Sequence, residues 1–311
     1  MLDLHLHLDG SLSPEFILKQ AQKDHVPLPA HTPDSLLPYL TVGASCDSLN
    51  TYLEKFDLPV SVLQTEDALE GAVQDLIRRL SAQGLEYAEI RFAPQLHTAR
   101  GLSQEAVTEA ALSGLHSACR EFHFSAGLIL CCMRTGGSFL ANEKTLAVAR
   151  SYLRHGVVAL DLAGAEALYK TSDYKNLFRL ARANDIPFTI HAGEADGADS
   201  IRSALEFGAS RIGHGVHCVE DPALLEELIQ KQIPLEICPT SNLQTHACAS
   251  IKEHPVLKLL RMGICVTINT DNMTVSDTTL PREYSLLKDQ LHMTEAEKEQ
   301  TICNARKARF R

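Results

Sequence analysis

Several features missing from this sequence narrow its reading before anything present in it does. It has no C-x-x-C pair: nine cysteines, at 46, 119, 131, 132, 218, 238, 248, 265 and 303, form an odd set, several within apolar runs such as Leu128-Ile129-Leu130-Cys131-Cys132. That distribution predicts buried free thiols in a reducing cytosol rather than a disulfide framework. Positive charge is not in surplus. With 29 Lys and Arg against 39 Asp and Glu, the formal charge is −10, a balance that repels nucleic-acid phosphates and offers nothing to an anionic membrane. No apolar run is long enough to span a bilayer, and Met1-Leu2-Asp3-Leu4-His5 lacks the basic-then-apolar order of a secretory leader. A cytoplasmic protein is therefore expected. No G-x-G-x-x-G follows the first apolar run and no G-x-x-x-x-G-K-[ST] occurs, so dinucleotide and P-loop folds lose their main support. Linkers, repeats and low-complexity segments are also absent, and residues 1–311 are read as one domain.

What is present is an alternation. Short runs rich in β-branched residues fall at 2–8, 85–92, 124–132, 157–162, 187–191, 210–214, 233–238 and 264–270, with segments of helical spacing between most of them. In 67–82, for example, Leu69, Val73, Leu76, Ile77 and Leu80 share one helix face. Eight strand–helix units predict parallel strands with right-handed crossovers, and an α/β fold of the (β/α)8 TIM-barrel type over an open doubly wound sheet. The first and second strands are separated by far more chain than one helix needs. Ser13-Pro14-Glu15 reads as a capped helix start, followed by a Pro-rich stretch at 27–38 and a helix near 51–56. An insertion at that point stands over the C-terminal mouth of a barrel, so 13–66 is read as a helical lid. Thr294-Glu295-Ala296-Glu297 predicts a capping box opening the last helix.

The first strand carries the strongest chemical signal. Leu2, Leu4, Leu6 and Leu8 alternate with Asp3, His5, His7 and Asp9, so the leucines face one way and the polar groups the other. A lone H-x-H is a weak pattern, more often a pair of satisfied histidines than a metal site. Here the strand should be buried on both faces, and four buried ionisable groups without partners would cost several kcal/mol, which a bound cation would offset. Further polar strand ends occur at Ile190-His191-Ala192-Gly193-Glu194, Ile212-Gly213-His214-Gly215 and Ile268-Asn269-Thr270-Asp271-Asn272. Each alone reads as a polar residue closing a strand; together they would converge on one barrel mouth. Imidazoles with a carboxylate and no thiolate suit Zn²⁺ first, then Fe²⁺, Mn²⁺ or Co²⁺.

His5-Leu6-His7-Leu8-Asp9-Gly10-Ser11-Leu12, Asp161-Leu162-Ala163-Gly164-Ala165-Glu166, His191-Ala192-Gly193-Glu194, Arg211-Ile212-Gly213-His214-Gly215, Pro239-Thr240-Ser241-Asn242 and Asn269-Thr270-Asp271 resemble, in order and over nearly the whole chain, the signature blocks of the adenosine deaminase family. Arg91-Phe92-Ala93-Pro94-Gln95-Leu96-His97 and Cys131-Cys132-Met133-Arg134 resemble its bacterial branch. The resemblance implies one zinc per chain held by His5, His7, His191 and Asp271, with a water whose pKa is lowered towards about 7. It implies that His214 orients that water and stabilises its charge, that Asp271 accepts a hydrogen bond from it, and that protonated Glu194 donates to purine N1. Gly164 would offer its N–H to purine N3, Asp9 would bind a ribose hydroxyl, and Phe56 would wall the pocket or serve as lid core. The implied reaction is hydrolysis of adenosine, and of 2′-deoxyadenosine, to the inosine product and ammonia.

Two positions depart from the family pattern. Asn272 stands where the family has a second aspartate that must be protonated to donate to purine N7; an amide donates without proton uptake. The sequence also stops at 306–311, where the family pattern continues with an acidic stretch. Rival readings on the same scaffold are deaminases of adenine, a modified AMP or aminofutalosine. A phosphate-bearing substrate would want cations at the mouth, for which Arg134 and Lys170 are the candidates. A two-metal amidohydrolase or esterase also begins with H-x-H, but it bridges its ions with a lysine at the end of the fourth strand. Here Val157-Val158-Ala159-Leu160-Asp161-Leu162 has none. The cytidine-deaminase zinc pattern, H-x-E with P-C-x-x-C, is absent. The expected partner is a small purine nucleoside, with no nucleic acid or membrane and an oligomer allowed.

Overall fold

Leucine–polar alternation at the start of the chain forms the first strand, β1 (Leu2–His7), in a computed structural model that describes residues 1–43, 46–135 and 139–310. Residues 44 and 45, which fall within the expected lid, and Arg311, at the end of the C-terminal stretch, lie outside the described residues, as do 136–138. Seven more strands follow: β2 (Tyr87–Phe92), β3 (Ser125–Met133), β4 (Val157–Ala163), β5 (Thr189–Ala192), β6 (Arg211–His214), β7 (Leu235–Ile237) and β8 (Val266–Ile268). All ladders are parallel and strands pair in chain order, β1 to β4 in one sheet and β5 to β8 in the other. Single bridges join the sheets at two seams, Leu160 with Phe188 and Leu6 with Asp271. At the second seam His7 N–H donates to Asp271 O (2.7 Å) and Asp271 N–H to His5 O (2.8 Å), so the first and last strands meet at the polar residues themselves. The α/β barrel expected from the alternation is the observed architecture.

Apolar side chains pack between strands and helices. Leu2, Leu4, Leu6 and Leu8 are all buried in the main core with the inward stripe of the helix Glu66–Ala82: Leu69, Val73, Leu76, Ile77 and Leu80. Charge fills the barrel interior instead, with Asp3, His5, Glu89, Arg91, Asp161, Arg211 and Glu236 at most 1% exposed. Strand extents differ from the apolar runs mainly at β7 and β8, three residues each. Apolar flanks such as Ile264, buried, and Ile233, half-buried, pack on the core without joining a ladder, because burial and hydrogen-bond pairing end at different places.

The chain between β1 and β2 is helical. It comprises α1 (Pro14–Asp24), α2 (Pro33–Leu40), α3 (Leu49–Leu53) and α4 (Asp57–Val62), then α5 (Glu66–Ala82) on the barrel wall. Ser13 caps α1 through Phe16 N–H with Pro14 at its first turn, as the sequence predicts. Thr294 and Glu297 form the predicted reciprocal box at the start of the helix Glu295–Ala308. That helix packs on β8 and β1, and beyond it Phe310 N–H donates to Glu89 while its ring lies 3.9 Å from the Arg211 guanidinium, closing the lower end of the interior.

Candidate active site and metal centre

At the C-terminal ends of the strands a cavity of about 350 Å³ is lined by residues from both sheets and from the helical chain between β1 and β2, among them His7, Asp9, Phe56, Gly164, His191, Glu194, His214, Asp271 and Asn272. Its volume lies within the range of small-molecule sites, about 300–1,000 Å³. Nine of the expected site residues thus line one cavity, while His5 is fully buried and does not line it.

The imidazoles crowd around one carboxylate oxygen. Asp271 Oδ1 is 3.4 Å from His5 Nε2 and 3.4 Å from His7 Nε2, and His7 Nε2 is 3.2 Å from His191 Nε2. A ligand atom from each of His5, His191, His214 and Asp271 also lies within 4.8 Å of the others. Ligands about 2.0–2.1 Å from a tetrahedral ion sit about 3.3 Å apart, the spacing seen here. His5 Nε2 is buried with no hydrogen-bond partner, an orphan that a cation would satisfy. The donor set therefore fits one divalent ion.

Carboxylates behind the imidazoles decide which nitrogen faces inward. His5 Nδ1 donates to Glu236 (2.8 Å) and His191 Nδ1 to Asp161 (2.9 Å), leaving both Nε2 lone pairs turned to the cluster. Arg91 reaches both carboxylates, Asp161 at 3.1 Å and Glu236 at 2.9 Å. Ser241 Oγ donates to Asp271 Oδ2 at 2.6 Å. Burial opposes the charge on Asp271, but the imidazoles crowded around it, His5 foremost and then His214 and His7, hold its carboxyl well below the usual range. The backbones of His214 and Asp271 both have φ of 60°, a left-handed conformation uncommon for side-chain-bearing residues and concentrated at functional sites.

Glu194 lines the same cavity. Burial, reinforced by the charges of Asp271 and Glu166, drives its carboxyl well above the usual range, which favours the protonated form. Its Oε1 is buried and unpartnered, while Oε2 lies 3.5 Å from His214 Nε2. Burial, then the neighbouring His5, pushes His214 far below the ordinary histidine value, so that ring is neutral. The loop carrying Glu194 is held by Glu166, whose carboxylate accepts from the backbone N–H of Gly193 (2.7 Å), Glu194 (3.0 Å), Ala195 (2.7 Å) and Asp196 (3.1 Å) and from Ser200.

Around the empty volume, Gly164 has φ of +105° at the end of β4; a methyl group there would sit 3.3 Å from Met133 and narrow the cavity. Gly10 leaves room for Asn272, since a Cβ on it would fall 1.8 Å from Asn272 Oδ1. Burial raises Asp9 to about 6. Phe56 lines the cavity and also packs on a small cluster of Cys46, Tyr52 and Val275. Arg134 lines the cavity, but its guanidinium donates to Tyr169 O, Thr171 and His191 O. Lys170 is exposed and does not line the cavity.

Sequence reasoning gave no role to Glu166, Arg91, Glu236, Ser241, Asn242 or His254. A signal for Arg91 and Glu236 was available: ionic residues inside strands that should be buried on both faces must find partners there.

The family model described as adenosine deaminase matches residues 1–311. Among curated proteins, the chain is 49% identical over 314 residues to the adenosine deaminase of Haemophilus ducreyi, covering 100% of this chain and 91% of that protein. It is 41% identical over 290 residues to that of Clostridium botulinum strain Hall, covering 92% and 85%. Among solved structures, the adenine deaminase of Arthrobacter aurescens superposes with a TM-score of 0.90 at 27% identity, covering 100% of this chain and 93% of that one. The Arabidopsis N6-mAMP deaminase gives 0.86 at 25%, again covering 100% and 93%.

Proposed function

Because the chain belongs to the adenosine deaminase family, we propose that His5, His7, His191 and Asp271 hold one zinc ion beneath a purine pocket in which Glu194 and His214 handle proton and charge. The reaction is the hydrolytic deamination of adenosine to inosine and ammonia. One observation carries the site assignment: a buried imidazole nitrogen on His5, within the cluster of histidines and Asp271, and a buried carboxyl oxygen on Glu194, in the cavity lined by His7, His191, His214 and Asp271, both lack hydrogen-bond partners. Zinc at the floor would supply Lewis acidity, lowering the pKa of water so that a nucleophile exists near neutral pH.

The remaining work belongs to the chain's own residues. Glu194, kept protonated by burial, donates to purine N1 and withdraws electron density from C6, the carbon under attack. His214 and Asp271 hydrogen-bond the attacking oxygen, His214 stabilising the negative charge it carries. The Gly164 N–H meets N3, where any side chain would intrude, and the Asn272 amide donates to N7 with no proton uptake. Asp9 binds a ribose hydroxyl; contacts that do not need the 2′-hydroxyl would admit 2′-deoxyadenosine as well. Phe56 covers the base from the lid. The amino group leaves as ammonia.

Among the described residues lining the cavity, Arg134 is the one permanently cationic side chain, and three acceptors already engage it. That favours an uncharged nucleoside over a nucleotide. The fold's closeness to an adenine deaminase makes the free base the competing substrate. Kinetics with adenosine, adenine and AMP, before and after chelation, test the reading. Activity on adenosine, its removal by chelator, its return with zinc, and one zinc per chain are expected; two ions per chain, or preference for adenine, would overturn it. We also read residues 1–311 as a single domain with 13–66 as its lid. Nine cysteines without a disulfide suit a reducing cytoplasm, and no described helix is long and apolar enough to cross a membrane.

A further inference from the structure

Beneath His214 lies a run of hydrogen bonds whose direction is fixed from one end. The backbone N–H of Val256 lies 3.2 Å from His254 Nδ1. A main-chain amide can only donate, so that nitrogen bears no proton. Burial holds His254 down at about 4, which keeps the ring neutral and puts its single proton on Nε2. His254 Nε2 lies 3.3 Å from Asn242 Oδ1, which accepts from it. The other end of the same amide, Nδ2, lies 3.0 Å from His214 Nδ1 and can only donate to it. His214 Nδ1 is therefore a bare acceptor, so the ring's proton must sit on Nε2, the nitrogen that lies 3.5 Å from Glu194 Oε2.

This is the reverse of the arrangement at His5 and His191. Those rings give their Nδ1 proton to carboxylates, at 2.8 and 2.9 Å, and turn an Nε2 lone pair toward the cluster. An amide behind the ring has the opposite polarity from a carboxylate. We infer that Asn242 and His254 are positioning residues that fix His214 as its Nε2–H tautomer. His214 then meets the cavity as a hydrogen-bond donor and not as a fourth imidazole ligand, although distance alone would group it with the ligands. A donor of this kind can stabilise an oxygen gathering negative charge; it has no free lone pair at Nε2 with which to take a proton. The catalytic consequence rests on the role proposed above for His214, whereas the tautomer does not.

The test is ¹⁵N NMR of the imidazole nitrogens in the zinc-loaded enzyme, with His214→Ala used to assign the His214 signals. The wild type is expected to show an unprotonated Nδ1 and a protonated Nε2. In Asn242→Asp a carboxylate replaces the donor at nearly constant shape, and His214 Nδ1 is expected to become protonated. With it kcat should fall about 10²-fold or more at near-constant KM and zinc content, since a histidine held in the wrong tautomer can cost about 10⁴ in kcat. Asn242→Leu, which neither donates nor accepts, should leave the proton shared between the two nitrogens. A proton on Nδ1 in the wild type, or a bare Nδ1 retained in both variants, would overturn the inference. Nδ1 protonated in Asn242→Asp with kcat unchanged would uphold the positioning role while removing His214 from the chemistry.

Discussion

Replacing Glu166 by glutamine tests whether the loop that presents Glu194 is held by a single buried carboxylate. One oxygen of Glu166 accepts from Glu194, Ala195 and Asp196, the other from Gly193 and Ser200. A glutamine must turn its NH₂ toward one of these sets. Facing Gly193 and Ser200 is the cheaper choice, because the serine hydroxyl can rotate to accept while only the Gly193 N–H is orphaned. Leaving one buried donor unpaired costs about 1–3 kcal/mol, and demoting three bonds from charged to neutral acceptors costs about 0.5–1 kcal/mol each. The expected loss is about 3–6 kcal/mol, large against a typical stability of about 5–15 kcal/mol but short of unfolding. Because the Glu194 N–H is one of the five donors, and Glu166 helps to keep Glu194 protonated after burial and Asp271, kcat on adenosine should fall about 10- to 100-fold with zinc content unchanged. Denaturant unfolding of the zinc-loaded variant and steady-state kinetics read the two effects. A stability loss under about 1 kcal/mol together with unaltered kcat would refute the clamp.

Four other outcomes follow from the same geometry. Asp271→Ala should lose zinc and activity together, whereas Glu194→Gln should keep zinc in elemental analysis while kcat falls at least about 10²-fold, as for a missing general acid; zinc lost from the second variant would assign Glu194 to the metal. Gly164→Ala combines a strained left-handed backbone, worth about 1–3 kcal/mol, with a methyl group at the cavity wall. Its KM for adenosine should rise about tenfold or more, and an unchanged KM would remove Gly164 from the purine edge. Burial raises Glu283 from 4.5 to about 7, although Thr240 and Thr278 donate to it. The folded state therefore retains a proton that the unfolded chain releases. Its contribution is fully present below about pH 4.5 and is lost as pH rises to about 7, a fall of about 3 kcal/mol at 1.36 kcal/mol per unit. Wild-type stability, measured against Glu283→Gln, should decline across that window, and parallel profiles would contradict the assignment.

The alternation of β-branched runs with helical stripes was enough to read eight parallel strands, because burial on both faces leaves so strong a compositional trace. The caps at Ser13 and Thr294 were equally legible, since capping is settled within four residues. Ligand types and their places at strand ends were visible for the same local reason: a polar residue closing an apolar strand stands out. The sequence could not say how the first and last strands would meet. That juxtaposition of His5, His7 and Asp271 is made by a seam of backbone hydrogen bonds between residues more than 260 positions apart. Nor could it say which imidazole faces a cation with a lone pair and which with a proton. His5, His191 and His214 are the same residue type; a carboxylate from another strand stands behind the first two, an amide behind the third. Local sequence determines which groups are present and which way each strand faces, while the polarity behind a buried ring is set by neighbours that only folding brings within hydrogen-bond reach.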